Sequence, residues 1–434
     1  MSSVTLPRPV TKDSFIEDGD VIGITSGLYS SKQPTILSKY YKSTKVVFSA
    51  YESTSKAATP VSNPLNIQKA VLAQITAYGI KGNSVLTRNL GTLSIGADPE
   101  ILVTDKDGKV IPFGTLYTEQ AGTGVIIDGF AAEFTPAYDY CLAYLTDKLQ
   151  GCLNTAYKYV RDKEGAQFSV QDYILTPKKW RYTLPESQVV LGCKPSCNAY
   201  GDTVKFKDGI DTPYRTAGCH MHFGSANTYG ANIVKNPTVI TEIVKWCDII
   251  AGVWSIALLP MQNPRRRKLY GRAGEYRTTY YSSTGHAGIE YRTHSSYVLA
   301  HPAVWHLMFE VTRAAFILGM SGAGEFIRGL FPSDTTIKNI INKVDVKAAQ
   351  DLVKSHKDFY KAVLHHLGPY AQNMAYNLSQ MDGGLKNVVN FTDIPGNWKL
   401  TPRGVNGSWL THSSSKNCSW VSFVNNSPNT ELWK

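Results

Sequence analysis

The sequence has little that would place the chain outside a reducing, aqueous compartment. Its 434 residues include only seven cysteines, an odd number that favours free thiols over a disulfide framework. Residues 1–18 lack the apolar stretch of a secretory signal peptide. The longest apolar run, residues 249–260, is too short to cross a bilayer. We therefore expect a cytoplasmic protein without a membrane partner.

Several common catalytic signatures are also missing. The chain has no Walker loop ending in Gly-Lys-Ser/Thr, no dinucleotide-binding glycine fingerprint and no Gly-x-Ser-x-Gly elbow. Its net charge of +11 favours anionic partners such as nucleotides and acidic substrates, although such a charge also simply keeps a protein soluble. The one basic run, residues 265–268 followed by Tyr270, indicates nucleic acid only weakly, so we do not expect that partner.

Composition and hydrophobic pattern divide the chain into three parts. Residues 1–88, rich in Ser, Thr, Tyr and Lys, are predicted to be an added N-terminal segment. Residues 89–320 are predicted to form the core, and residues 321–434 a helical, then loop-rich C-terminal segment. The core groups strands with long helices but lacks regular β-α-β alternation. This pattern indicates an α+β fold with a mostly antiparallel sheet.

Hydrophobic periodicity also predicts the individual elements. Strands are expected at residues 93–103, 110–113, 124–134, 187–192, 217–224, 275–281 and 288–294. Helices are expected at residues 140–160, 239–259, 302–318 and 345–367. The N-terminal segment is predicted to hold strands at residues 20–25 and 45–49 and a helix at 66–78.

Acidic side chains mark two of the predicted strands. Asp98 and Glu100 are two residues apart and would share one strand face, where paired carboxylates suit a hard cation such as Mg²⁺. A solvated strand face or a turn is the alternative. Glu133, which follows Asp128, lies in an apolar run where an unpaired charge is costly. It therefore needs a metal ion, a base or a water-filled cleft, and a structural salt bridge is the other interpretation.

Two histidines lie on the strand at 217–224. His220 and His222 would share one face, from which they could bind a metal or hold phosphate and carboxylate groups. Buried structural histidines are the alternative. A zinc site with Cys193 and Cys197 is less favoured, because Cys219 would point to the opposite face.

Three arginines and a glutamate of interest lie within residues 272–292. Arg272, Arg277 and Arg292 accompany Glu290, which would share a strand face with Arg292. Such charges are costly to bury together without an anionic ligand, and they fit a site for polyphosphate. A surface ion-pair network is the alternative.

The order of these motifs resembles a known family. It runs Asp-x-Glu (98–100), Asp-Gly-x-x-x-Glu (128–133), Gly-Cys-x-Pro-x-x-Asn-Ala-Tyr (192–200), His-x-His (220–222) and Glu-x-Arg (290–292). This order is similar to that of the phage-encoded COOH–NH2 ligases, or type 2 amidoligases, which are relatives of glutamine synthetase and glutamate–cysteine ligase. The likeness covers about half the chain.

The resemblance implies a glutamine-synthetase-like curved antiparallel sheet flanked by helices, holding ATP and two or three Mg²⁺ or Mn²⁺ ions. It implies an ATP-dependent ligase that joins a carboxylate to an amine, free or carried by a peptide or protein, through an acyl phosphate. The metal ligands it implies are Asp98, Glu100, Glu133, His220 and Glu290. Catalytic contacts to phosphate and acyl phosphate would come from Arg272, Arg277 and Arg292, and His222 would position the substrate carboxylate.

Two other functions fit the same residues. A non-catalytic virion or assembly protein could keep a ligase-like fold and use its Tyr-, Ser-, Asn- and Trp-rich ends as interfaces with other virion proteins. A metal-dependent hydrolase could use the same acids and histidines without a nucleotide.

Overall fold

The structure is a computed structural model, and it describes residues 94–139, 141–189, 196–202, 212–225, 235–281, 286–320, 328–364 and 367–401. The strands predicted at residues 20–25 and 45–49 and the helix predicted at 66–78 lie outside the described residues.

A nine-stranded antiparallel sheet forms the centre of the described chain. The strands are β1 (Ser94–Thr104), β2 (Val110–Ile111), β3 (Val125–Asp128), β4 (Ala131–Phe134), β5 (Gln167–Ser169), β6 (Tyr173–Leu175), β7 (Cys197–Asn198), β8 (Tyr214–Thr216), β9 (Cys219–Ser225), β10 (Glu275–Tyr281) and β11 (His286–Tyr291). The order across the sheet is β3-β4-β1-β9-β11-β10-β7, and β2 and β5 also pair with β1. Strands β6 and β8 form a separate two-stranded sheet.

Helices cover the apolar side of this sheet and extend beyond it. They are α1 (Leu142–Arg161), α2 (Lys178–Arg181), α3 (Glu186–Val189), α4 (Pro237–Cys247), α5 (Val253–Leu258), α6 (Pro302–Met320), α7 (Asp334–Lys343), α8 (Val346–Ser355), α9 (Lys357–Val363), α10 (Gly368–Gln380) and α11 (Ile394–Trp398). A π-helical turn, Asp248–Gly252, joins α4 to α5. None of the described helices combines the length and apolar character that crossing a membrane requires.

Alternation along the strands gives the sheet two different faces. One face is apolar and buried, and Phe223 of β9 packs its ring 5.5 Å from that of Phe309 and 4.9 Å from that of Phe316, both on α6. Met221, two residues earlier, is also fully buried on that side. His220 and His222 alternate with these apolar residues along β9. They therefore lie on the opposite face of the sheet, which is polar.

The helices form where apolar residues recur at helical spacing. In α1 the buried positions include Leu142, Leu145, Leu149 and Leu153, a stripe that packs toward the sheet. Burying each such side chain stabilises the fold by roughly 1.5–3 kcal/mol. Helix α4 begins after Asn236, whose side chain accepts a hydrogen bond from the Thr238 backbone N–H at 3.0 Å.

The α+β class with an antiparallel sheet is confirmed, and most predicted elements are found. Two predicted strands are wrong in form. Residues 124–134 make a hairpin, β3–β4, because Gly129 adopts a φ of 56° and turns the chain. Residues 187–189 belong to the short helix α3, because so short an apolar run does not separate strand from helix, and 190–192 lie outside the described residues.

Two further boundaries differ from prediction. Strand β11 ends at Tyr291 rather than at residue 294, because buried arginine side chains, described below, take the carbonyls of the next residues. The predicted helix 345–367 is divided at His356, whose φ of −117° leaves the helical region. Its ring contacts the Leu330 carbonyl at 3.1 Å, which fixes this break.

The C-terminal helices share a hydrophobic core with the sheet. One continuous cluster of buried side chains includes Ile95 at its start and Trp398 at its end. The Trp398 indole N–H donates to the Leu299 carbonyl at 2.6 Å, on the other side of the boundary predicted at residue 320. The described part of residues 321–434 is therefore packed on the core, while the terminal segments invoked as virion interfaces lie mostly outside the described residues.

Candidate functional site

The polar face of the sheet carries a row of charged side chains across five adjacent strands. Glu133 of β4 pairs with Glu100 of β1, and Asp98 of β1 pairs with His220 of β9. Directly paired residues lie on the same face of an antiparallel sheet. Two more pairs continue the row toward β10: His222 with Glu290, and Glu290 with Arg277. Strand pairing therefore brings together residues that are far apart in the chain.

The first group in this row, the histidine cluster, consists of Asp98, His220 and Glu290. All three are buried, and each offers a ligand atom within 4.8 Å of the others. The Nδ1 of His220 lies 3.2 Å from Asp98 Oδ1 and 3.1 Å from Glu290 Oε1. Within the described residues, neither ring nitrogen of His220 makes a well-aligned hydrogen bond, so these short contacts are chiefly electrostatic. A buried imidazole that lies between two carboxylates without a well-aligned hydrogen bond is suited to binding a cation.

Electrostatics in the histidine cluster favour the charged forms of the acids. Burial alone would raise the pKa of Asp98, but the neighbouring His222 and His220 outweigh it and hold that pKa well below its usual range. Burial would also raise the pKa of Glu290, but contact with His220 lowers it to about 2. Burial disfavours protonation of His220, yet Asp98 outweighs it and raises the pKa of His220 to about 9. Two carboxylates are thus held ionised on either side of an imidazole.

The second group, the carboxylate cluster, consists of Glu100, Asp128 and Glu133, whose ligand oxygens lie within 4.8 Å of one another. Burial, together with the nearby Asp98, Glu100 and Asp128, raises the pKa of Glu133 to about 9. Three carboxyl groups at this spacing repel one another when ionised. A divalent cation would relieve that repulsion, and oxygen ligands of this kind are those that Mg²⁺ and Mn²⁺ take.

The predicted arginines fall into two groups. Arg277 donates from Nε to Glu290 Oε2 at 2.6 Å and lies 3.7 Å from Asp98 Oδ2, with 28% of its side chain exposed. Arg292 is fully buried, with Nε 3.3 Å from Glu290 Oε1. Arg272 instead donates to the backbone carbonyls of Arg267 and Lys268, and within the described residues no hydrogen bond or ion pair joins it to either cluster. The structure thus brings together two of the three arginines.

His222 lies at the edge of the histidine cluster, where a substrate could reach it. Its Nε2 is 2.9 Å from Asp98 Oδ1, and 34% of its side chain is exposed. Burial would lower the pKa of His222, but Asp98 outweighs it, so the pKa is raised. The ring can therefore present positive charge to an anionic group.

A cleft of about 540 Å³ begins at Asp98 and His222 and runs along the next row of the sheet. Its floor consists of small residues on neighbouring strands: Ser94, Gly96, Gly224 and Gly288. Tyr138, more than half exposed, stands at one side. The volume is in the range of small-molecule sites, and the small floor leaves room for a flat, neutral group beside the charged row.

Two residues of the site were not among the predicted ligands. Asp128 completes the carboxylate cluster; it begins the Asp-Gly-x-x-x-Glu motif, which together with the turn at Gly129 could have indicated this role. Tyr270 donates its hydroxyl to Glu100 Oε2, a contact that spans 170 residues and that no sequence spacing predicts. The Gly218 backbone N–H donates to the same oxygen at 2.7 Å.

Two residues of the basic run 265–268 have a structural role. Arg266 and Arg267 are buried, and Arg266 donates to the carbonyls of Ala217, Thr293 and His294. These bonds join the start of β9 to the chain after β11. The two central arginines of the run are thus unavailable to nucleic acid.

The zinc site that would use cysteine ligands has no geometric support in the described chain. Neither group of candidate metal ligands there includes a cysteine. Cys197 lies on β7 at the far edge of the sheet, and Cys219 is buried on the apolar face. Cys193 lies outside the described residues.

Comparisons with known proteins add no relative. A scan against protein-family models, a search of curated proteins and a search of solved structures each gave no match.

Proposed function

We propose that this chain is an ATP-dependent ligase that forms an amide or peptide bond between a carboxylate and an amine. One observation carries the proposal: two groups of metal-type ligands and two arginines lie side by side on one sheet face, next to a cleft. The proposal includes Mg²⁺ or Mn²⁺ and a sheet of the glutamine synthetase type. The wholly antiparallel order β4-β1-β9-β11-β10, with helices on one face, supports that fold.

The histidine cluster and the carboxylate cluster would each hold a divalent cation. Such a cation supplies positive charge against the phosphate oxygens of ATP. Asp98 and Glu290 are suited to this because their pKa values leave them ionised. Glu133 and His220, whose pKa values are both raised to about 9, would each release a proton when a cation binds. The cleft, with its floor of small residues, would take the nucleoside end of ATP, which is uncharged and carries a flat base.

The arginines and His222 would act on the reacting groups. A substrate carboxylate oxygen attacks the γ-phosphorus of ATP, the bond to the bridging oxygen breaks, and ADP leaves. Arg277 and Arg292 would stabilise the charge on the phosphoryl oxygens, and His222 would hold the substrate carboxylate. The amine then attacks the acyl carbon, phosphate leaves with the acyl-oxygen bond pair, and the amine proton passes to solvent. Positioning and charge suffice, so no protein nucleophile is needed.

Phosphate release from ATP that depends on an added amine and on Mg²⁺ tests the proposal. We expect Glu133→Gln and Arg277→Ala each to lower this turnover by about 100-fold or more, the scale of losing one charge-stabilising group. Arg292→Ala should do the same, but Arg292 is fully buried and its loss could disturb folding, so the partly exposed Arg277 is the safer test. Exposed, matched controls are Glu164→Gln and Arg161→Ala. Full turnover by Glu133→Gln and Arg277→Ala would refute the ligase.

A metal-dependent hydrolase is the second candidate, because two adjacent cation sites are also a hydrolytic arrangement. The same variants would then lose activity. Turnover of an amide or ester substrate without nucleotide would favour the hydrolase over the ligase.

A further inference from the structure

Tyr270 is a point of contact between the two clusters. Its hydroxyl donates to Glu100 of the carboxylate cluster. Its ring meets the ring of His220, in the histidine cluster, edge to face at 5.5 Å between centroids. Tyr270 is almost fully buried, so both contacts are shielded from water.

The two hydrogen bonds to Glu100 fix how its carboxylate is turned. Tyr270 Oη and the Gly218 backbone N–H both donate to Oε2. Within the described residues, Oε1 receives no hydrogen bond, so one oxygen is anchored and the other is left for a ligand. Donors that orient a metal-binding carboxylate in this way are a recurrent feature of metal sites.

The Tyr270 ring is itself held by two buried arginines. The guanidinium of Arg266 lies 4.9 Å from the ring centroid, and that of Arg292 lies 5.6 Å from it. Arg266 is fixed in turn by its bonds to three backbone carbonyls. A Cβ at Gly218 would lie 2.6 Å from Arg266 Nη2 and 3.0 Å from Tyr270 Oη, so glycine is what allows this close packing.

We propose that Tyr270 is a positioning residue, which holds Glu100 so that the carboxylate cluster can bind a divalent cation. The inference rests on the proposed function, because it assumes that the cluster binds Mg²⁺ or Mn²⁺. Tyr270 acts through Glu100 rather than on the reacting groups. Contacts with the two arginines hold the phenol ring, and the hydroxyl orients the Glu100 carboxylate.

Mn²⁺ titration without nucleotide, followed by the electron paramagnetic resonance of free Mn²⁺, tests this role. The unaltered protein should bind Mn²⁺ at two sites. Tyr270→Phe keeps the ring and removes the hydroxyl, so it should weaken one site by about 10–100-fold and leave the other unchanged. Tyr360→Phe is the matched control: Tyr360 is buried and donates to the Ile249 carbonyl at 2.6 Å, in the helical part of the chain. It should not change either affinity.

A double-mutant cycle separates positioning from general destabilisation. If Tyr270 acts through Glu100, Tyr270→Phe should cost no further Mn²⁺ affinity in a Glu100→Gln background. Equal binding by Tyr270→Phe and the unaltered protein, an equal loss in Tyr360→Phe, or additive losses in the cycle would overturn the role of Tyr270 alone. Failure of the unaltered protein to bind Mn²⁺ would overturn both this role and the proposed function.

Discussion

At the residue scale, Glu133 shows how a carboxyl group is altered by its surroundings. The same side chain in solution would be ionised at neutral pH, but burial and three neighbouring acids raise its pKa to about 9. Between pH 4.5 and 9 the folded chain therefore holds a proton at Glu133 that the unfolded chain has released. The contribution of this group to the free energy of unfolding falls as pH rises through that window.

Glu133→Gln removes this pH dependence. Without divalent cations, we expect the variant to gain stability relative to the unaltered protein as pH rises from 5 to 8, by at most about 1.4 kcal/mol for each pH unit. Thermal unfolding at several pH values in a chelator measures this. The exposed Glu164→Gln should show no such trend. A stability difference between Glu133→Gln and the unaltered protein that is constant with pH would contradict the assigned environment.

Mg²⁺ should offset the loss of stability that ionisation of Glu133 causes. A cation bound in the carboxylate cluster favours ionised Glu133 and stabilises only the folded chain. Added Mg²⁺ should therefore raise the Tm of the unaltered protein more than that of Glu133→Gln.

At the scale of elements, the β3–β4 hairpin sets the spacing of the carboxylate cluster. Asp128 ends β3 and Glu133 lies within β4, so the turn between them places both beside Glu100 of β1. Gly129 makes that turn with a φ of 56°, a conformation that side chains with a Cβ adopt at a cost.

Gly129→Ala should weaken Mn²⁺ binding. The left-handed conformation costs alanine about 1–2 kcal/mol, and relief of this strain would move Asp128 relative to Glu100. Gly165→Ala is the matched control, since Gly165 has a φ of 73° and no atom near a built Cβ. Both variants should lose similar stability in thermal unfolding, and only Gly129→Ala should lose Mn²⁺ affinity. Equal affinities would show that the hairpin turn does not set the site.

At the scale of the whole molecule, the helices after residue 328 and the sheet form one packed unit. Trp398 is buried, and its indole N–H donates to the Leu299 carbonyl. The Gln150 side chain of α1 donates to the Trp398 carbonyl at 2.6 Å. Asn342 of α7 accepts from the Ala273 backbone N–H at 2.9 Å, just before β10. Such bonds connect the last helices to the strands that carry the site.

Trp398→Ala should destabilise the whole described unit by about 3–5 kcal/mol, because it removes a large buried side chain and leaves a cavity. Calorimetry should show a single unfolding transition at lower temperature. Tyr370→Ala, on an exposed ring of α10, should have little effect. Two separate transitions, with only one of them shifted, would contradict the shared core.

The sequence alone determined much of this arrangement. Alternation along a strand was enough to place Asp98 beside Glu100 and His220 beside His222 on common faces, and apolar periodicity was enough to find α1 and α6. These features depend on residues close together in the chain, whose relation is fixed by backbone geometry.

Only the tertiary structure decided how these pieces combine. In it, one row of charged residues forms two clusters, and Asp128 belongs to the carboxylate cluster. Arg272 donates to the backbone carbonyl of Arg267 instead of contacting either cluster. The tertiary structure also brought Tyr270 to Glu100. The physical reason is that strand order and side-chain packing between distant segments depend on the burial of the whole core, which local spacing does not encode.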